Sequence, residues 1–179
     1  YNSVMTRGQR TIAISKYIAS EITTRHPINP KQLSIIPRGV DTGYFNRKTV
    51  AEERINKLIT NWEIPQNTPV IMLPGRVSRW KGHELLIESL VKLKDQLFFC
   101  VIVGPFNGKE KFKRKIEYLI RANGLCSKVK FVGDCYDMAA AYSVADIVIS
   151  ASLDPEPFGR TIIEAQAMGK LVLASNHGG

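Results

Sequence analysis

The stretch "PVIMLPGRVSRWKGHELLIESL", residues 69–90, decides the fold class. It begins with a short apolar run, continues through a loop containing glycines and cations, and ends in a segment with helical periodicity. The apolar run is nearly continuous and does not alternate with polar residues, which is typical of a strand covered on both faces. The stretch therefore predicts a strand, a loop and a helix of a parallel α/β sheet.

The same succession of strand and helix recurs along the whole chain. Strands are predicted in "RTIAIS", "LSIIPRGV", "PVIMLPGR", "LFFCVIVGP", "KVKFVGD", "IVISAS" and "KLVLASN". Helices are predicted in "KYIASEITTRH", "AEERINKLITNW", "GHELLIESLVKLKD", "EKFKRKIEYLIRANG", "MAAAYSVAD" and "GRTIIEAQAMG". Right-handed crossovers then give a doubly wound parallel sheet, in which ligands bind beyond the carboxyl ends of the strands.

Length and composition allow one sizeable core with an additional piece, since the chain has 179 residues and is 44% hydrophobic. No run of about 20 apolar residues is present to span a membrane. The opening "YNSVMTRGQR" and the final "SNHGG" lead us to interpret the sequence as part of a longer protein, so missing targeting signals carry little weight. Residues 38–50, with weak periodicity, are the predicted linker.

The three cysteines do not form a recognisable framework. They have no CxxC spacing and no paired histidines, which argues against a structural zinc site and against a disulfide scaffold. This pattern favours a reducing, intracellular setting. Cys100, inside "LFFCVIVG", is predicted to be a small buried apolar residue.

The chain has a net charge of +9, and its densest basic run lies at the start of one predicted helix, with five basic residues between Lys109 and Lys115. Phe112, Ile116, Leu119 and Ile120 recur there at helical spacing, so the lysines occupy the wet face of an amphipathic helix. A solvated face is the favoured interpretation, and attraction to anionic lipid headgroups or polyanionic substrates is the alternative. Nucleic acid is least favoured, because no interleaved aromatic residues accompany the charge.

The loop "PGRVSRWKG" places Arg76 and Lys81 between Gly75 and Gly82, directly before a helix. Two cations beside accessible backbone at a helix N-terminus suit a diphosphate. The patterns GxxxxGK[ST] and GxGxxG are absent, which counts against a Walker-type nucleotidase and a nicotinamide dehydrogenase. A pair of ordinary surface cations near a turn is the alternative.

The stretch "PEPFGRTIIEAQAMGK", residues 155–170, sets two glutamates around a helix start. Glu156 precedes the start and Glu164 lies inside the helix, where side chains lean toward the N-terminus. A carboxylate accepts two hydrogen bonds and suits a vicinal diol such as that of ribose. The alternative is a pair of exposed helix-end glutamates, with Glu156 complementing the helix dipole.

These segments together closely resemble the retaining glycosyltransferases of family four, whose two Rossmann-like domains face each other across a cleft. The signature lies in "PEPFG" and "EAQAMG", and "GRVSRWKGHELLIESL" is similar to the donor-phosphate loop of the family. "SIIPRGVDTGYF" looks like the segment that passes between the domains, with Arg38 where asparagine is more usual. "LVLASNHGG" resembles the strand and glycine pair after the signature helix, with Leu171 where proline is usual. The likeness covers roughly residues 10–179.

The resemblance implies roles for individual residues. Arg76 and Lys81 would stabilise the nucleotide diphosphate as it leaves. Glu164 would hold the ribose hydroxyls, and Glu156 would contact the donor sugar near the reacting centre. The other substrate-binding residues that it implies are Gly75, Gly104, Pro105, Phe158, Gly159, Arg160 and Thr161. Neither a metal nor a cofactor is expected besides the nucleotide-diphosphate sugar, and Asp134, Asp137 and Asp146 are interpreted as loop and cap residues.

The resulting hypothesis is the C-terminal, donor-binding half of a glycosyltransferase. Residues 1–40 would be the tail of the acceptor-binding domain with the crossing segment, and residues 41–179 an incomplete nucleotide-sugar-binding domain. The expected acceptor is a glycan or glycolipid such as a lipopolysaccharide, at a cytoplasmic location with peripheral contact to an anionic membrane. The chain alone is expected to bind nucleotide weakly without turnover.

Three other functions are compared with this one. A retaining glycosidase also uses paired carboxylates, but it has no diphosphate for the cationic loop to neutralise. A sugar-nucleotide epimerase of related fold and a non-enzymatic nucleotide-sugar sensor or membrane-surface module stay open.

Overall fold

The computed structural model describes residue 4 and residues 6–179, which divide into two compact units. The smaller unit comprises the described residues up to Gly39, Asp154–Arg160 and Asn176–Gly179, and the larger unit comprises Val40–Leu153 and Thr161–Ser175. The first passage between the units, at Gly39 and Val40, falls in the predicted linker. The assignment of residues 1–40 and 41–179 to an acceptor and a donor domain stays a prediction.

The smaller unit contains two short parallel strands joined by a helix. Strand β1 (Thr11–Ala13) pairs with β2 (Leu33–Ile35), and helix α1 (Lys16–Arg25) connects them. The helix begins after Ser15, whose Oγ accepts a hydrogen bond from the Ile18 amide at 3.1 Å and so satisfies one of the free N–H groups of the first turn. The predicted strand, helix and strand are confirmed, although each strand is only three residues long.

The larger unit is built on a five-stranded sheet in which every neighbouring pair is parallel. Its strands are β3 (Val70–Pro74), β4 (Phe99–Val103), β5 (Val129–Gly133), β6 (Ile147–Ser150) and β7 (Leu171–Ala174). They lie in the order β5-β4-β3-β6-β7, so the chain winds outward from β3 in one direction and then returns to its other side. In doubly wound sheets, the switch point, here between β3 and β6, is where a ligand is expected at the carboxyl ends of the strands.

Five helices accompany these strands, each in a segment that the sequence predicts to be helical. They are α2 (Glu52–Asn61), α3 (His83–Val91), α4 (Glu110–Ala122), α5 (Met138–Val144) and α6 (Arg160–Ala167). Their apolar faces divide the core into two layers, because neighbouring residues of a strand point to opposite faces of the sheet. Met72 and Val101 pack with Tyr142 of α5 on one face, whereas Leu73 and Cys100 belong to the cluster on the other.

This arrangement confirms the predicted doubly wound parallel α/β fold. Strands β3 and β4 are buried along their whole length, as their continuous apolar runs indicate. The expectation that all strands are covered on both faces is wrong for β1 and β2, where Ile12 and Ile35 are 58% and 47% exposed, and for β7. Leu171 and Leu173, which point to the same face of that strand, are 71% and 63% exposed, so residue 4 and residues 6–179 leave this face open to solvent.

The aspartates that the sequence assigned to loops and caps take those places. Asp137 precedes α5 and accepts a hydrogen bond from the Ala140 amide at 3.1 Å. Asp146 accepts from the Val70 amide at 2.7 Å, which ties the turn before β6 to the start of β3. Asp134 is exposed in the loop after β5.

The environment of Cys100 and the apolarity of the helices were both predicted from the composition. Cys100 is fully buried in the middle of β4, as predicted, and burial raises the pKa of its thiol to about 12. Within the part of the chain that the structure describes, none of the helices combines the length and apolarity needed to cross a bilayer.

Candidate functional site

Two glycines bring the carboxyl ends of β3 and β4 into close contact. Gly75 follows β3 and donates its amide hydrogen bond to the Val103 carbonyl at 2.8 Å. Gly104 follows β4 at a positive φ of 143°, and a Cβ added there would lie 2.2 Å from the Gly75 carbonyl oxygen. Only glycine fits this approach, so the two loops can lie directly against each other. Pro105 completes the contact by accepting from the Val77 amide at 2.8 Å.

The side chain of Lys81 lies over this glycine contact. A Cβ added at Gly75 would stand 3.6 Å from Lys81 Cε, so the lysine stem packs against bare backbone. The ammonium Nζ lies 4.3 Å from the centroid of the Trp80 ring, within the range of a cation–π interaction. Arg76, next to Gly75, has an exposed side chain. The loop therefore places one cation against the backbone at the strand ends and exposes a second one to solvent.

The turn that carries Lys81 is fixed at its C-terminal end. Residues 79–81 form a 3-10 turn that ends at Gly82, which has a φ of 71°. A Cβ on Gly82 would lie 1.8 Å from the Ala151 carbonyl oxygen, and the Trp80 carbonyl accepts from the Leu153 amide at 2.7 Å. The loops after β3 and β6 are thus joined at the switch point of the sheet, where a ligand crevice is expected.

His83, the first residue of α3, lies directly behind this turn and was not singled out by the sequence. Its side chain is fully buried, and Nδ1 lies 3.1 Å from the Ser78 carbonyl oxygen. The pKa of the imidazole is lowered to about 4, chiefly by burial, with the Ser78 carbonyl opposing this shift and the positive charge of Lys81 adding to it. The ring is therefore neutral near pH 7, with its hydrogen on Nδ1.

Glu164 lies in α6, and its side chain is buried rather than displayed on a wet helix face. The residue is 8% exposed, and its Oε2 accepts a hydrogen bond from the Tyr142 hydroxyl at 2.9 Å. The alternative of two exposed helix-end glutamates is therefore wrong for Glu164. Tyr142 was missed, because a tyrosine in the alanine-rich "MAAAYSVAD" gives no signal of a carboxylate 22 positions later.

Glu156 belongs to the smaller unit, where the backbone around it is held from two sides. Its carbonyl accepts from the Gly179 amide at 2.7 Å, and Glu156 forms a parallel bridge with Gly178. A Cβ on Gly178, whose φ is 85°, would lie 2.5 Å from the Glu156 carbonyl oxygen. Ser15 Oγ donates to the neighbouring Pro157 carbonyl at 2.7 Å. The glycine pair and the α1 cap thus fix the main chain that presents Glu156.

The remaining predicted residues surround the start of α6. Phe158 is half-buried, Gly159 is buried with a φ of 83°, and α6 begins at the exposed Arg160. Thr161 is the first residue of α6 in the larger unit. The structure therefore brings Gly75, Lys81, Gly104 and Pro105 together at one edge of the sheet and places Glu164 beside Tyr142. The binding roles of all these residues stay predictions.

Comparison with known proteins adds the family context. The model of a family described as Glycosyl transferases group 1 matches residues 54–179. A D-inositol 3-phosphate glycosyltransferase of Salinispora tropica is 29% identical over 98% of this chain and 38% of its own length. A second protein of that name, from Catenulispora acidiphila, is 28% identical over 99% of this chain and 42% of its own length. The chain spans about two fifths of these curated relatives.

Solved structures show the same architecture. A glycosyltransferase from Rickettsia africae superposes with a TM-score of 0.94 at 38% identity, covering 100% of this chain and 47% of that one. HepE of Anabaena, crystallised with UDP-glucose, superposes with a TM-score of 0.88 at 28% identity, covering 98% of this chain and 47% of that one.

Proposed function

Because this chain belongs to the family of glycosyl transferases group 1, we propose that it is the donor-binding part of a retaining, metal-independent glycosyltransferase. The donor is a nucleotide-diphosphate sugar, and the transferred group is a hexose. The observation that supports this function best is the convergence of Gly75, Lys81 and Gly104 at the carboxyl ends of β3 and β4. Bare backbone and a fixed ammonium at this place suit a diphosphate.

Arg76 and Lys81 act on the leaving group. When the bond between the sugar C1 and the diphosphate oxygen breaks, negative charge develops on the diphosphate, the acceptor oxygen bonds to C1, and the leaving diphosphate takes up the proton that the acceptor hydroxyl releases. Cations that are already fixed in position stabilise that charge without reorganising during the step. Lys81 is held in this way by the Gly75 backbone and the Trp80 ring. These two cations take the place that a divalent metal would otherwise fill.

Glu164 is proposed to bind the ribose of the donor. Its Oε2 accepts from the Tyr142 hydroxyl, which fixes the carboxylate orientation inside the fold. Glu156 is proposed to contact the donor sugar near C1, on the strength of the motif in which it stands and of the backbone contacts that Gly178 and Gly179 make with it. The backbone of residues 158–161 would bind sugar hydroxyls and phosphate, as free N–H groups at a helix start can.

A uridine nucleotide is the donor that we would test first. HepE of Anabaena, which shares the fold at 28% identity, was crystallised with UDP and with UDP-glucose. Calorimetric titration of the full-length protein with UDP, GDP and ADP should give the tightest binding for UDP. Tighter binding of another diphosphate would change the assigned base and leave the diphosphate site in place.

Lys81→Ala tests the diphosphate site itself. Loss of a charge-assisted contact should raise the UDP dissociation constant about tenfold or more, whereas the affinity for uridine should not change. Lys57→Ala, an exposed lysine on α2, is the control. If Lys81→Ala and Arg76→Ala both bind UDP as tightly as the parent protein, the proposed function fails.

Glu156→Ala distinguishes an enzyme from a binding module. The full-length variant should lose turnover of UDP-glucose and keep UDP binding. Chromatography of the products separates the remaining alternative, since epimerised donor formed without any acceptor would identify an epimerase. The anomeric configuration of the product, read by NMR, tests the retaining stereochemistry.

The acceptor is proposed to be a glycan or glycolipid, and lipopolysaccharide is the example to test first. The protein is proposed to act in the cytoplasm. Curated relatives carry the name D-inositol 3-phosphate glycosyltransferase, so inositol phosphate is the comparison acceptor in the same assay. Sugar transfer to only one of these two compounds assigns the chemical class of the acceptor.

Contact with an anionic membrane is proposed for one surface of α4. Exposed side chains occur there at helical spacing, and we call them the α4 cationic face: Lys111, Arg114, Lys115, Tyr118 and Arg121. They lie opposite Ile116 and Ile120, which are buried against the sheet. Four cations around one exposed tyrosine suit the headgroup region of an anionic bilayer.

A further inference from the structure

We propose that His83 is a positioning residue that holds the Lys81 turn in the geometry needed to bind a diphosphate. This inference rests on the proposed function, because it takes from it the contact between Lys81 and the diphosphate. His83 itself is fully buried behind the turn, so we assign it no direct contact with the donor.

The Ser78 carbonyl is the point through which His83 acts. It accepts from the Lys81 amide at 3.2 Å, which closes the turn, and it lies 3.1 Å from His83 Nδ1. Because a carbonyl oxygen has two lone pairs, both donors can be satisfied at once. The imidazole therefore fixes the orientation of the peptide group from which the Lys81 turn starts.

The other nitrogen of the ring, Nε2, makes an unfavourable contribution to the stability of the fold. Nε2 is buried and has no hydrogen-bond partner among residue 4 and residues 6–179. The ring packs edge-on against Phe112 of α4, with the centroids 6.1 Å apart. A buried acceptor without a partner destabilises the folded state, and an apolar side chain would fill the same space without that cost. What the imidazole adds at this position is the hydrogen bond to Ser78.

Other contacts hold the C-terminal end of the turn, so the hydrogen bond from His83 to Ser78 matters most for its beginning. Gly82 is locked against the Ala151 carbonyl, and Trp80 is tied to Leu153 by a backbone hydrogen bond. These contacts fix the end of the turn, whereas Ser78 is its N-terminal residue and makes no side-chain cap hydrogen bond. Without His83, the beginning of the turn and the direction of the Lys81 stem would be less strictly defined.

Three substitutions separate positioning from packing. His83→Asn places an amide donor at the same number of bonds from Cβ as Nδ1, so it can still reach Ser78. His83→Gln places its donor at the distance of Nε2 and cannot reproduce the contact. His83→Leu removes all polarity and the unpartnered acceptor. Calorimetric titration of the full-length variants with UDP and with uridine, together with thermal unfolding, measures both consequences.

We expect His83→Leu to unfold at the same temperature as the parent protein or higher, and yet to bind UDP about tenfold more weakly. Affinity for uridine should not change, since uridine lacks the diphosphate. His83→Asn should recover most of the UDP affinity, and His83→Gln should not. If His83→Leu does not fold, the difference between the asparagine and glutamine variants decides the matter.

Two results would overturn the inference in distinguishable ways. If Lys81→Ala weakens UDP binding while all folded His83 variants bind UDP normally, the positioning role is wrong and the proposed function stands. If Lys81→Ala itself binds UDP normally, the proposed function fails and this inference fails with it. Equal losses for UDP and uridine in the His83 variants would indicate general damage to the fold and would also reject the positioning role.

Discussion

At the scale of single residues, the site depends on backbone that carries no side chain. Gly82 and Gly108 have the same φ of 71°, yet a Cβ at Gly82 would lie 1.8 Å from the Ala151 carbonyl oxygen and one at Gly108 would meet nothing within 4 Å. The two positions thus separate the cost of a left-handed conformation from the cost of a collision.

Gly82→Ala should therefore destabilise the protein much more than Gly108→Ala. The left-handed conformation costs about 1 to 2 kcal/mol at either position, and overpacking adds about 1 to 3 kcal/mol at Gly82 alone. Urea unfolding of both variants measures the difference. Equal losses of unfolding free energy would show that the loops after β3 and β6 do not touch as described.

His83 makes the stability of the fold depend on pH. Its folded pKa is lowered from 6.5 to about 4, chiefly by burial, and the charge of Lys81 adds to the shift. The unfolded chain takes up a proton below pH 6.5 and the folded chain does not. Stability is therefore full above pH 6.5 and declines as the pH falls toward 4.

The expected loss between pH 7 and pH 4.5 is about 2 to 3 kcal/mol from this residue. Urea unfolding of the parent protein and of His83→Leu is measured at both pH values. The difference between their losses of unfolding free energy isolates the contribution of His83, because the carboxylates titrate alike in the two proteins. A parent protein that loses no more stability than His83→Leu would contradict a neutral buried imidazole.

At the scale of secondary-structure elements, Asp137 joins two helices. It accepts from the Ala140 amide at the start of α5, and both of its carboxylate oxygens accept from the Arg54 guanidinium of α2, at 2.8 and 2.6 Å. The Arg54 side chain lowers the pKa of this carboxylate, with the Ala140 amide contributing and burial opposing. One side chain therefore caps α5 and fixes its position against α2.

Asp137→Ala should lower the free energy of unfolding by about 1 kcal/mol through the lost cap, with any contribution of the ion pair added to it. Asp137→Asn should retain most of the cap and lose the ionic part. Asp134→Ala, in the exposed loop after β5, is the control and should leave stability unchanged. Thermal unfolding ranks the three variants by stability. If Asp137→Asn loses as much stability as Asp137→Ala, the effect belongs to the ion pair and not to the cap.

At the scale of the whole molecule, the net charge of +9 is expressed unevenly on the surface. The α4 cationic face contains no acidic side chain, although Lys115 is paired with Glu84 of α3. Binding to an anionic bilayer should therefore follow this face rather than the total charge, and salt should weaken it.

Co-sedimentation with vesicles of mixed zwitterionic and anionic lipid tests this prediction. Lys111→Glu with Arg114→Glu should lower partitioning at least about tenfold, since each cation near the surface contributes roughly fivefold. Lys48→Glu with Lys57→Glu, on exposed residues outside α4, changes the formal net charge of +9 by the same four units. Equal losses from the two pairs would assign binding to net charge alone.

The sequence by itself determined the order of the elements, the burial of β3 and β4 and the amphipathic orientation of α4. Each of these follows from apolar periodicity within a dozen residues, and local patterning fixes which face of an element is buried. The sequence also indicated which loops are candidates for ligand binding, because the carboxyl ends of parallel strands lie at one edge of the sheet, where ligands bind. The exposed face of β7 was beyond it, because an apolar run alone does not show which face of a strand other elements cover.

Only the tertiary structure decided which of these loops meet and which side chains hold each other. The contact of Gly104 with Gly75 follows from the pairing of β3 with β4, and that of Gly82 with Ala151 follows from the return of β6 to the other side of β3. Glu164 is buried, and Tyr142, 22 positions earlier, donates to its carboxylate the hydrogen bond that offsets the cost of burial. Such contacts depend on strand order and on the packing of distant elements, to which no local pattern of residues is sensitive.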